Sequence, residues 1–302
     1  MSKHGCRRIL FVSSILLLAA TIDACGRSGR VVAPPNEVHS ASDAQAQQPP
    51  APRKSLSEEE AMSQLFEIVP GADGIRYIWK NFEAAPDAQK NRSRPLGSRE
   101  NGEAWAFGIE ELGPDRAVLV IGLTALDEEG ERDQCHACEG RASVFFFERK
   151  TDDQWAVSGS ALHVDRFGSH GGSGKFDFVK LGPDRRGFVI ESGGTFQGYT
   201  MSSASIFELV AGNKVEARTE EFIRITADYE CDEETTADCY SVEGKWQFVP
   251  GSNPAAFDLR IDFEGYIVDA QSKRENIHEH ALYRLDEQIF QRVEGRNPVP
   301  AP

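Results

Sequence analysis

Positive charge is scarce in this chain: 33 Lys and Arg stand against 48 Asp and Glu, a formal net charge of -15. An acidic surface of this kind excludes nucleic-acid binding by phosphate neutralisation, and an anionic membrane surface repels it. Complete catalytic signatures are missing too. Gly171-Gly172-Ser173-Gly174-Lys175 lacks the closing Gly of a nucleophile elbow. Ser169 stands where a Walker loop begins with Gly, and Phe176 where it places a hydroxyl residue. Cys135-His136-Ala137-Cys138 is followed by Glu139, whereas haem attachment needs His there. The acidic runs Asp127–Glu131 and Asp228–Glu234 lack the alternating spacing of an EF-hand loop. No catalytic residue, cofactor or metal is therefore assigned. Also lacking at the N-terminus is an apolar run of membrane-spanning length. Ile9 to Ala20 is broken by Ser13 and Ser14 and is short for a span.

That short run follows Lys3, Arg7 and Arg8 and has the form of a signal-peptide core. It leads into Ile22-Asp23-Ala24-Cys25. This stretch resembles the lipobox of bacterial lipoproteins, with Asp23 departing from the small residue usual in the family. The resemblance implies a signal peptide over 1–24 and a lipid on Cys25. Gly26 in place of Asp after the Cys implies sorting to the outer membrane, with the protein facing the periplasm or the outside. Ordinary cleavage to a soluble periplasmic form would want a small residue where Ile22 stands. Losing Lys3, Arg7, Arg8 and Asp23 makes the mature chain more acidic still. Such a charge calls for a covalent membrane anchor and attracts a basic protein partner. Residues 25–54 contain no aromatic side chain and carry Pro34-Pro35 and Pro49-Pro50, the composition of an unfolded, locally stiff linker.

The domain expected over 55–302 is long enough for one substantial core. Its four cysteines fall in two close pairs, Cys135 with Cys138 and Cys231 with Cys239, read as local disulfides in an oxidising compartment. A zinc site on Cys135, His136 and Cys138 with Cys231 or Cys239 has workable ligands but competes with that oxidation. Ser57 and Glu60 form a capping-box pattern, and Met62, Leu65, Phe66 and Val69 predict one short N-terminal helix stopped by Pro70-Gly71. After residue 100 the apolar period becomes two. Trp105-Ala106-Phe107, Phe176-Asp177-Phe178 and Trp246-Gln247-Phe248 are each followed by a turn, Leu-Gly-Pro-Asp-Arg at 112–116 and 181–185 and Pro-Gly-Ser-Asn at 250–253. Apolar strands follow at an even spacing that sets Leu119, Phe188 and Phe257 in equivalent places. Each unit of about 70 residues reads as a four-stranded antiparallel meander. The units cover about 103–159, 175–218 and 244–294. The fold class is all-β and β-propeller-like, with a β-sandwich as the alternative. Residues 72–100 supply strands for a fourth unit.

Strand parity carries the functional expectation. In an antiparallel meander the turns alternate between two ends. The short polar turns then share one end. The long loops, with Asp127 to Arg141, Phe167 to Lys175, Gly193 to Ser202, Asp228 to Tyr240 and Gly265 to His280, share the other. Loops gathered on a rigid scaffold are where binding sites lie, and His170, Phe196 and Tyr199 are the expected partner-binding side chains. Ser173-Gly174-Lys175-Phe176 is similar to the Ser-Gly-x-Tyr loop with which exported lysozyme inhibitors plug their target, with Phe for Tyr. The expected function is non-catalytic binding of a protein or cell-wall ligand, including inhibition of or immunity to a cell-wall hydrolase. The alternative is a periplasmic glycan enzyme using Asp127, Glu128, Asp228 or Glu264 as paired acids, whose separation such chemistry requires.

Overall fold

The computed structural model of the protein describes residues 53–71, 74–80, 101–127, 129–132, 138–168, 174–196, 198–219, 223–229 and 238–300, the side chain of Phe196 excepted. The expectations for the signal peptide, Cys25, most of the linker, Glu128, Cys135, His136, His170, Ser173 and Cys231 lie outside these residues. All described residues belong to one compact unit, Pro52–Pro302. Among them, no helix is long and apolar enough to cross a membrane.

The helix α1 (Glu58–Leu65) starts as expected: the Ser57 hydroxyl accepts from the Glu60 amide at 3.2 Å, and three glutamates occupy the first turn. It ends earlier than predicted. Phe66 is already extended and packs its ring against Trp79 and Phe145, at 5.8 and 6.0 Å between centroids. Val69 and Pro70 belong to a strand, because the β-branched Ile68-Val69 pair is drawn into a hairpin that closes at Gly71 and Gly74.

Among the described residues, fifteen strands form two antiparallel sheets. The first runs in chain order through β1 (Glu67–Gly71), β2 (Gly74–Lys80), β3 (Asn101–Gly113), β4 (Arg116–Ala125), β5 (Gly140–Arg149) and β6 (Trp155–Phe167). The second contains β7 (Lys175–Lys180), β8 (Arg186–Phe196), β9 (Tyr199–Val210), β10 (Lys214–Ala217), β11 (Ile223–Tyr229), β12 (Tyr240–Pro250), β13 (Phe257–Val268), β14 (Arg274–Leu285) and β15 (Phe290–Gly295). The three expected meanders are β3–β6, β7–β10 and β12–β15. The second and third do not form separate sheets. β1 and β2 extend the first meander, and β11 pairs with both β9 and β12, joining the second and third into one sheet. Neither sheet closes among the described residues, and the pairing fits the sandwich alternative.

Every residue of β4 after Arg116 is buried, because α1 covers one face of its sheet and the second sheet covers the other. Leu119, Ile121 and Leu123 pack under α1, whereas Val118 and Val120 meet Phe188, Ile190 and Phe207 across the sandwich. The first two aromatic-x-Phe strands meet there as well, with Phe107 stacked on Phe176 at 5.3 Å. The second sheet curls around a further core containing Val189, Ile206, Val242, Ile261, Phe263 and Ile277. Backbone bonds from Phe257 N to Leu181 O (2.8 Å) and from Phe290 N to Arg218 O (2.7 Å) tie the curl together. The even spacing slips in the third unit. Leu119 lies opposite Phe145 and Phe188 opposite Phe207, but Phe257 opens β13 and it is Leu259 that lies opposite Tyr283.

Candidate functional site

The short turns gather at one end, as strand parity requires. Arg116 of the first turn donates to Asn213 of the β9–β10 turn (2.9 Å), Arg149 N donates to Asp115 O (3.0 Å), and Leu181 of the second turn bonds Phe257. The chain also enters the domain here. Arg53 pairs with Asp115 at 2.6 Å, and Lys54 O accepts from Arg149 Nη2 (2.9 Å) and Trp155 Nε1 (3.4 Å).

The opposite end is built from a hairpin and a row of tyrosines. The segment expected as a loop, Gly193 to Ser202, is instead the tip of the β8–β9 hairpin, paired residue by residue up to Phe196 and Tyr199. Gly198 in the turn has φ 87°, a conformation Gly adopts without the Cβ penalty. Thr195 and Thr200 lock the tip through their hydroxyls at 2.8 Å. Tyr199 is 40% exposed and stacks on Tyr229 of β11, with centroids 4.3 Å apart and planes 14° from parallel. Tyr229 in turn touches Tyr240 of β12 at 6.2 Å. Tyr229 and Tyr240 sit directly opposite in register, so the three rings form a ladder across neighbouring strands. Tyr240 also packs on the core of the curled sheet. Burial pushes its phenol up from the ordinary tyrosine range, and Tyr199, Tyr229 and Asp228 beside it add to the shift.

Of the expected contact residues, Tyr199 is thus placed at an exposed tip, Phe196 lies on the facing strand, and His170 is outside the described residues. The sequence reading missed Tyr229 and Tyr240. Their signal is that they close the strands on either side of the acidic cysteine segment. Cys138 and Cys239 are buried at 4% and 0% exposure, and neither is a free thiol. Their expected partners lie outside the described residues, so the local pairs remain a proposal.

Of the acids named for the enzyme alternative, Glu128 lies outside the described residues. Asp127 Oδ1 accepts from the Glu131 amide (2.8 Å) in the first sheet's loop, while Asp228 and Glu264 lie on β11 and β13, with Glu264 exposed. The perturbed carboxyl at this end is a different one, Asp165 of β6. Burial raises it above the usual range, against hydrogen bonds from Ser205 and the Arg166 amide, and nearby Glu139 adds to the rise. No three His, Cys, Asp or Glu side chains come together as a metal-binding group among the described residues. The chain matches no protein-family model, no curated protein and no solved structure.

Proposed function

We propose that this protein is an envelope lipoprotein, anchored at Cys25, that binds a protein or cell-wall ligand through the hairpin-and-tyrosine end. The observation that carries the reading is the exposed Tyr199 stacked on Tyr229 at the tip of a paired, locked hairpin. A rigid aromatic held out from a scaffold loses little side-chain freedom on binding and is the usual kind of interface anchor. The entry of the chain supports it. Lys54 docks at the short-turn end, opposite the tyrosine end of the domain. The net charge of -15 favours a basic partner, such as a cell-wall hydrolase, and speeds the encounter at low salt. In this reading the three four-stranded meanders are copies of one unit. The enzyme alternative finds nothing to carry it in the placement of Asp127, Asp228 and Glu264.

The binding test uses a basic lysozyme as probe. Tyr199→Ala is expected to weaken its capture by at least about tenfold, with little change in melting temperature, because hot-spot aromatics contribute about 2 kcal/mol or more. A large stability loss with unchanged affinity in the folded fraction would move Tyr199 from the interface to the core. The anchor is tested separately by metabolic palmitate labelling. Wild type is expected to incorporate label and Cys25→Ser to lose it; equal labelling, or none in either, rules the lipid out.

A further inference from the structure

We propose that a cleft beneath the β8–β9 hairpin, where Arg224 borders an apolar floor of Phe167 and Met201, binds a small amphipathic carboxylate such as a peptide C-terminus. The cleft has a volume of about 310 Å³ and lies where the end of β6 meets the base of the hairpin. Its lining combines one uncompensated cation with hydrocarbon. The Arg224 guanidinium makes no ion pair or hydrogen bond among the described residues, while its backbone pairs with Ser203 in the β11–β9 ladder and its carbonyl accepts from Asn297 Nδ2 at 2.9 Å. In a chain with 48 acids to 33 Lys and Arg, a cleft arginine that no carboxylate among the described residues pairs with is against the run of charge. The second arginine of the cleft, Arg166, is already matched by Glu139 at 3.6 Å, so the positive charge left over is that of Arg224.

A guanidinium fork fits a carboxylate through two parallel hydrogen bonds. The hydroxyl-bearing Ser192 and Ser203 line the same cleft. Phosphate also satisfies such donors. The floor decides between them: Phe167 is 2% exposed, and Met201 packs on the core of the curled sheet. A ligand with a hydrocarbon body beside its charge uses both features, whereas a bare anion uses one. The size lies at the lower end for small-ligand sites, about 300 Å³, and suits a group no larger than a short peptide end. The inference does not depend on what the tyrosine ladder binds.

Methionine supplies a reporter. The chain holds 3 Met; Met201 lines the cleft, and Met62 is 1% exposed under α1. The full chain, carbon-13 labelled at the methionine methyls, is titrated with acetyl-Ala-Leu, with the same dipeptide as its amide, and with inorganic phosphate. The Met201 methyl is expected to shift and saturate with the carboxylate while Met62 stays put. The amide and phosphate are expected to bind at least about tenfold more weakly, and Arg224→Gln to weaken the carboxylate by a similar factor, as losing a charge-assisted bidentate pair requires. Arg224→Lys keeps part of the affinity. A Met201 signal that never moves, an equal response to the amide or to phosphate, or an unchanged affinity in Arg224→Gln overturns the proposal. Should Arg224→Gln also displace Met62, the carboxylate-against-amide comparison on the wild type decides alone.

Discussion

Replacing Glu208 with Ala is expected to lower folding stability by about 3–5 kcal/mol, the usual result of removing one partner from a buried ion pair. Glu208 on β9 is 6% exposed and holds two arginines. Arg185 of the second Leu-Gly-Pro-Asp-Arg turn grips it with two bonds of 2.7 and 2.5 Å, and Arg218 donates to it at 2.6 Å. Arg218 also reaches the Gln288 carbonyl before β15, so the network staples the second and third meanders together at the short-turn end. Glu216 still pairs with Arg218 in the variant, but the Arg185 side is left beside an empty site. For the Glu208 carboxyl, burial works to raise the pKa, but the hydrogen bonds and charges of Arg185 and Arg218 outweigh it and hold it below the usual carboxylate range. A pKa depressed by folding stabilises above the unfolded value, and that stability is lost as pH falls through the folded one. Chemical denaturation followed from neutral to acid pH should therefore show stability declining below the usual carboxylate range, with a shallower decline in Glu208→Gln. Part of the slope should remain, because Glu103 is held low in the same way by Arg132 and Arg76. An acid slope identical in wild type and Glu208→Gln would show that the carboxylate does not stabilise the fold.

Truncating Phe188 to Ala is expected to cost a comparable amount, about 3–5 kcal/mol, as for other fully buried phenylalanines. Its ring is 0% exposed at the centre of the inter-sheet core, 5.0 Å from Phe207 and 5.6 Å from Phe176. The same truncation at Phe257, which holds the equivalent place in the sequence repeat, should cost only about 1 kcal/mol, because that side chain is half-buried at the start of β13. Guanidinium titrations of the two variants separate position in the repeat from position in the fold. Equal losses would mean that the spacing in the sequence, rather than the slipped register of the strands, defines the buried site.

Much of this architecture is legible one segment at a time. The period of two marks the strands, the Gly-Pro turns set where they reverse, and parity then puts the short turns at one end and the hairpin tip at the other. Ser57 announces the helix start, since its cap is made with a residue three positions away. These are local relations, and the backbone has little choice in them. Helix length was misread for the same reason: the local apolar stripe continues through Val69, but pairing with β2 takes that residue into a strand.

The choices left open are those made between distant segments that the local pattern makes equally suitable. Alternation shows that Phe188, Val189 and Ile190 are apolar on both sides of one strand. It does not say that Val189 joins the core of the curled sheet while Phe188 and Ile190 meet the first sheet. Nor does it say that β11 joins two meanders into one sheet rather than leaving each as a blade. Both follow from which apolar faces remain uncovered once each meander has formed, a matter of long-range packing. The same packing sets Tyr229 against Tyr199, thirty residues earlier in the chain, and borders the cleft with Arg224, which has no acidic partner among the described residues. Alternation and turn chemistry thus determined where the strands lie and which end of the domain each loop occupies, whereas the tertiary structure alone decided which side chains share that end closely enough to act together, because their contacts arise only when separate sheets bury their faces against one another.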